Sequence, residues 1–142
     1  MSSRLFDEIR ERRGLAYSVF SSVAAYVDTG TWSVYAGTLP EHDDEVRSLV
    51  GVEVDRLVAD GITPDELDIA KGYLAGSYEM GLEDSAARMS RLGGQLLLLG
   101  EVRSVEEQLD RWSAVTLDDV HRVARRVYGD GNPVTVTVGP SA

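Results

Sequence analysis

The chain has 142 residues, 43% of them hydrophobic, which is one domain's worth of sequence with enough apolar material for a core. A formal net charge of −10 argues against nucleic acid, which needs a basic stripe, and the lack of cysteine excludes disulfides, thiolate nucleophiles and Cys-ligated metals. The longest apolar run, Leu96 to Leu99, falls far short of the ~18 residues of a membrane span, and Met1 to Glu8 reads as the start of a charged helix rather than a signal peptide. A cytoplasmic protein with residues 1–142 in a single domain is therefore expected, its acidic stretch from Glu41 to Asp68 forming a solvated face.

A first helix is predicted over Ser3 to Arg13, with Ser2 or Ser3 capping its open N–H groups and Gly14 suited to the left-handed residue past its end. Leu5, Phe6 and Ile9 form its apolar stripe. After Gly14 the period changes to two. Tyr17, Val19, Ser21, Val23 and Ala25 share one face, with Phe20 and Tyr26 on the other. Asp28-Thr29-Gly30 signals a turn, and Trp32, Val34 and Ala36 resume the alternation, giving a β-hairpin over 17–37.

Pro40-Glu41 opens a long helix to about Asp60, whose apolar side carries Val46, Leu49, Val50, Val54, Leu57 and Val58, and Gly61 ends it. Thr63-Pro64-Asp65-Glu66 is a strong helix start, with Thr as cap, Pro in the first turn and Glu placed for a capping box. That helix holds Gly72 and Gly76. Each weakens it by ~1 kcal/mol relative to alanine, which points to another backbone packed close against that face. A bend near Gly81 leads to a helix from about Asp84 to Leu99, with Met89, Leu92 and Leu96 expected inward and Gly100 at its end. Ser104 to Glu107 and Thr116 to Asp119 mark two further helix starts. Val134, Val136 and Val138 alternate with threonines and predict a last strand near 134–138. The expected fold is α+β: a thin, largely antiparallel sheet of three strands, covered by about six helices and with edges left open.

The segment from Met1 through Ser2-Ser3-Arg4-Leu5-Phe6-Asp7-Glu8-Ile9-Arg10 to Tyr17 closely resembles the C-terminal domains of pitrilysin/insulinase-type zinc metallopeptidases, a family that includes the mitochondrial processing peptidase. The likeness continues through Asp28-Thr29-Gly30, Tyr35 to Thr38, Ala70-Lys71-Gly72, Met89 to Gly93 and Val115 to Val120. It implies the later part of a non-zinc domain, an incomplete α/β domain whose first strand–helix stretch would precede Ser2. Such enzymes form a chamber from homologous domains or subunits. One holds zinc through H-x-x-E-H, and another reaches the bound peptide with an Arg and a Tyr matching Arg10 and Tyr17 here. The implied partners are thus a zinc-bearing homologous domain or subunit and a peptide substrate. A second copy pairing along the open sheet edges is a further expectation, with neither nucleic acid nor membrane as a partner. This chain alone is expected to be inactive.

Simpler roles stand beside that one. Arg10 follows Asp7 by three residues and Arg12 follows Glu8 by four, so both suit surface ion pairs, and Tyr17 suits a half-buried strand position. The sequence also departs from the family's zinc domains. Its histidines are His42 and His121, and the nearest approach to the motif, His42-Asp43-Asp44-Glu45-Val46, has valine where the second imidazole belongs. No metal or other cofactor is therefore expected in this chain, and zinc is expected in the partner. The rival expectation is a non-catalytic scaffold subunit of the same superfamily, like the core proteins of respiratory complexes.

Overall fold

The computed structural model describes residues 3–129 and 133–139. They divide between two compact units, one of Met1–Asp60 with Ala124–Ala142 and the other of Gly61–Val123.

The first unit opens on a helical segment that starts as expected, the Ser3 hydroxyl accepting from the Phe6 N–H at 3.2 Å. Over Phe6–Arg12 it is wound as a π-helix rather than the α-helix predicted there. Gly14, at φ +64°, ends it in the left-handed region. Its N–H donates to the Arg10 carbonyl at 3.0 Å, and the Leu15 N–H reaches back to the Ile9 carbonyl at 2.9 Å. The chain then enters β1 (Ala16–Ala25), turns, and returns as the antiparallel β2 (Gly30–Thr38). The turn is closed by the Tyr26 N–H donating to the Thr29 carbonyl at 2.9 Å. Across the ladder Phe20 lies opposite Tyr35 with rings stacked at 5.2 Å, and the Ser22 and Ser33 hydroxyls share a hydrogen bond of 2.9 Å.

The hairpin differs from expectation in one place that matters. Ala16 pairs with Thr38 and Ser18 with Gly37, so Tyr17 and Ser18 together oppose one residue, and the strand bulges at Tyr17. The extra residue shifts the phase of the pleat. Ala16 and Val19 both turn into the core while Tyr17 stands out, so Tyr17 and Val19 do not share a face as strict alternation predicts.

After Pro40–His42, a short 3₁₀ turn, α1 (Asp43–Asp60) lays Val46 against the hairpin. The core of this unit is Ile9, Ala16, Val19 and Val46, walled by Leu5, Phe6, Leu15, Val34, Ala36, Leu49 and Val50. The end of the last helix belongs here too, and places the Tyr128 ring edge-on to Trp32 at 4.8 Å. The expected strand near 134–138 is a correction: no ladder forms there among the described residues. Val134, Val136 and Val138 are 90%, 79% and 93% exposed. Alternation makes a segment fit for a sheet, but a strand exists only where a partner edge takes up its N–H and C=O groups. The sheet of the described residues is thus two-stranded, within the α+β class that the sequence implied.

The second unit is helical: α2 (Pro64–Gly81), α3 (Ser85–Leu99), α4 (Val105–Ser113) and the start of α5 (Leu117–Tyr128). Its helix starts are built as read. Thr63 with Glu66 and Ser104 with Glu107 form complete capping boxes, and the Asp84 carboxylate accepts from the Ala86 N–H at 2.8 Å. Helices α2 and α4 meet through Tyr78 and Trp112, edge to face at 5.0 Å, and the Lys71 ammonium caps the end of α4 by donating to the Ser113 carbonyl at 2.7 Å. Two expectations fail in this unit. Met89, Leu92 and Leu96 are exposed. The side-chain hydrogen bonds of α3 run through Arg91, donating to the Tyr78 hydroxyl and the Arg103 carbonyl, and Gln95, accepting from the Arg103 N–H. Nor does any atom lie within 4 Å of where a Cβ on Gly72 or Gly76 would stand, so the close backbone approach inferred for them is not found. Among the described residues, no helix is long and apolar enough to cross a membrane.

Candidate functional site

Arg10 and Tyr17 lie on either side of the Gly14 break, one in the last turn of the helical segment and the other at the strand bulge. The structure brings them together. The Arg10 guanidinium carbon sits 5.9 Å from the centre of the Tyr17 ring and 4.9 Å from that of Phe6. Both distances are within the range of cation–π attraction. Tyr17 is 88% exposed, far from the half-buried strand aromatic it could have been, because the bulge turns its ring away from the core that Ala16 and Val19 enter. The ion pair proposed for Arg10 with Asp7 is not formed. Asp7 pairs with Arg12 at 2.9 Å, and the carboxylate beside Arg10 is Glu11, at 3.9 Å.

The other arginines of the segment are tied into ion pairs. Arg13 binds Glu8 at 2.8 Å and reaches Glu45 of α1 at 3.5 Å, and Arg12 also touches Glu8 at 3.4 Å. The hydrogen bond from Arg13 holds the Glu8 carboxyl below the usual carboxylate range, and Glu8 in turn raises Arg13. These charges border an open depression of about 240 Å³ lined by Arg4, Asp7, Glu8, Arg12, Glu53 and Arg56. Glu53 escaped the sequence reading: its side chain is only 9% exposed on an acidic helix, and Arg56 holds it at 2.7 Å. Phe6 escaped it as well, being counted among the apolar stripe, although Phe6 and Arg10 stand at the i, i+4 spacing that stacks side chains on a helix. The bulge left no signal in the residue types.

These residues do not fit zinc. Val46, which stands where a second imidazole would be needed after His42, is a buried core side chain 3% exposed. His42 lies 3.7 Å from Glu41. His121 packs under Gly61, where an added Cβ would be 3.5 Å from its ring. No group of three or more His, Asp or Glu side chains that could hold a metal ion occurs among the described residues.

A family model described as "Peptidase M16 inactive domain" matches residues 1–74. An uncharacterized zinc protease of Streptomyces coelicolor is 46% identical over 140 residues, covering 99% of this chain and 30% of its own length. Among solved structures, a conserved protein of Enterococcus faecalis matches with a TM-score of 0.72 at 26% identity, over 87% of this chain and 29% of that one. A chain of complex III from Candida albicans has the same fold, with a TM-score of 0.78 at 24% identity, over 89% of this chain and 30% of that one. The chain therefore spans about 30% of the length of the relatives it matches. With the family model covering residues 1–74 and the Arg10–Tyr17 segment inside that match, this chain belongs to the pitrilysin/insulinase-type M16 peptidase family, as its inactive, C-terminal-type domain.

Proposed function

We infer that this chain is the substrate-binding, non-zinc domain of a zinc metalloendopeptidase, inactive by itself and completed by a homologous zinc-bearing domain or subunit. The observation that carries the reading is the pairing of an exposed phenol with a guanidinium at one helix–strand junction, Tyr17 beside Arg10. The name of the Streptomyces relative, a zinc protease, supports the class of chemistry. Zinc, held by the partner, supplies Lewis-acid polarisation and a hydroxide nucleophile. This chain's part is electrostatic. As a peptide carbonyl is attacked, negative charge grows on its oxygen, and the Tyr17 O–H and the Arg10 N–H groups are donors that stabilise that charge. A bulged, solvent-facing tyrosine presents its hydroxyl to a ligand rather than to the core.

The test is steady-state cleavage of a fluorogenic peptide by the full-length protein assembled with its zinc-bearing partner. Arg10→Ala and Tyr17→Phe are each expected to lower kcat on the order of 10²-fold. Neither should shift stability beyond ~1 kcal/mol, since Tyr17 is 88% exposed and Arg10, itself exposed, is tied by aromatic contacts and a carboxylate at 3.9 Å. Turnover at the wild-type level in both variants sinks the assignment. The second reading, a scaffold subunit acting in the cytoplasm or in a larger complex, draws on the fold shared with the complex III chain. Stoichiometric zinc and peptide cleavage in the natively expressed protein would exclude it. Self-association through the edges of β1 and β2 is read from the molar mass in solution over a range of concentrations.

A further inference from the structure

We propose that Phe6 is the positioning residue for Arg10: its ring holds the guanidinium by the face and leaves the N–H edge for the peptide. The inference rests on the substrate-contact reading of Arg10. Arg12 and Arg13 are held by carboxylates at 2.8 to 3.5 Å, which occupy their N–H groups. Arg10 is held differently. Its carboxylate neighbour, Glu11, stays at 3.9 Å, while the Phe6 ring lies 4.9 Å and the Tyr17 ring 5.9 Å from the guanidinium carbon. A guanidinium carries five donors in its plane and stacks through its face. An ion pair would fix Arg10 by consuming those donors. Aromatic rings fix it and leave them available.

Phe6 is suited to this because it is anchored itself. It packs against the core cluster of Ile9, Ala16, Val19 and Val46, so its ring is a fixed platform, whereas Tyr17 is 88% exposed and has no such anchorage in the core. The platform lies one turn before Arg10 in the π-wound segment, and Gly14 then turns the chain so that Tyr17 also comes within 5.9 Å of the same guanidinium. An arginine left to solvent would sample many rotamers before meeting the charge that grows on the carbonyl oxygen, and pre-ordering removes that loss from the reaction step.

The experiment uses the assembled full-length enzyme, with Phe6→Leu and Phe6→Tyr made in both the wild-type and the Arg10→Ala backgrounds. Phe6→Leu keeps the apolar packing and removes the ring. It is expected to lower kcat by ~2–5-fold, the range of a partly exposed cation–π contact, with KM nearly unchanged. Phe6→Tyr should restore the rate, and in the Arg10→Ala background Phe6→Leu should lose nothing further. Equal losses in both backgrounds overturn the proposal, because Phe6 would then act through the core alone. The second readout is independent of turnover. In enzyme carrying δ-¹³C-arginine, the Arg10 δ-methylene resonance should be displaced upfield by the ring and move to a solvated arginine's position in Phe6→Leu. An unmoved resonance also overturns the proposal. If Arg10→Ala alone leaves kcat at the wild-type level, the substrate-contact reading fails, and the resonance alone decides whether Phe6 holds Arg10.

Discussion

Two glycine-to-alanine substitutions in this chain should change stability in opposite directions. Gly14 sits at φ +64°, and nothing lies within 4 Å of the Cβ that alanine would add, so sterics with neighbours are not at issue. What remains is the backbone. A left-handed conformation is unfavourable for an L-residue by roughly 1–2 kcal/mol, and the lower entropy of alanine in the unfolded chain offsets ~0.4–1 kcal/mol of that. Gly14→Ala should therefore destabilise by about 1 kcal/mol. Gly72 also has nothing within 4 Å of its added Cβ, but it stands inside α2, where alanine is favoured by ~1 kcal/mol. Equilibrium urea unfolding, followed by far-ultraviolet circular dichroism, reads both. With a slope of ~1–3 kcal/mol/M, the midpoint should fall by roughly 0.3–1 M for Gly14→Ala and rise by a similar amount for Gly72→Ala. A midpoint held or raised by Gly14→Ala would refute the left-handed cap as the end of the first helix. A midpoint lowered by Gly72→Ala would refute the open surroundings of α2.

Two further outcomes follow from the packing and the charges. Ile9 is fully buried at the centre of the first unit's core, so Ile9→Ala should destabilise by ~2–5 kcal/mol and Ile9→Val by only ~0.5–1.5 kcal/mol, compared by urea midpoints. The Asp119 carboxyl is lowered from 3.8 to about 2 by the hydrogen bonds of Arg122 and of Thr116, its partner at the start of α5. A depressed folded-state pKa contributes stability above the unfolded value of 3.8 that is lost as pH falls through about 2. The urea midpoint should thus decline between those values, and Asp119→Asn should make the decline shallower, Glu8 and Glu107 adding to it in the same direction.

Much of this molecule was legible in the residue types because the interactions concerned are local. Thr63, Ser104 and Thr116 announce α2, α4 and α5 since each cap is satisfied by a residue three positions on, whatever the rest of the chain does. Gly14, Gly61 and Gly100 end their helices at positive φ for an equally local reason. The hairpin was legible because a turn joins two alternating runs that become each other's partner. Arg10 and Tyr17 were found through the family resemblance of the segment that holds them, since an arginine and a tyrosine on the surface carry no mark of their own.

Only the tertiary structure decided the rest, in each case because the outcome depends on a partner that the sequence does not name. Val134, Val136 and Val138 have the alternation of a strand and meet no edge to pair with among the described residues. Met89, Leu92 and Leu96 have the spacing of a core face yet stay exposed, and within the second unit the side-chain hydrogen bonds of α3 run through Arg91 and Gln95. The π-winding of Phe6–Arg12 and the bulge at Tyr17 depend on how the helical segment and the hairpin seat Ile9, Ala16 and Val19 in one core. Helix caps and turns are settled within a few residues of chain. The meeting of a phenylalanine, an arginine and a tyrosine across a glycine break is settled by packing, which no single segment contains.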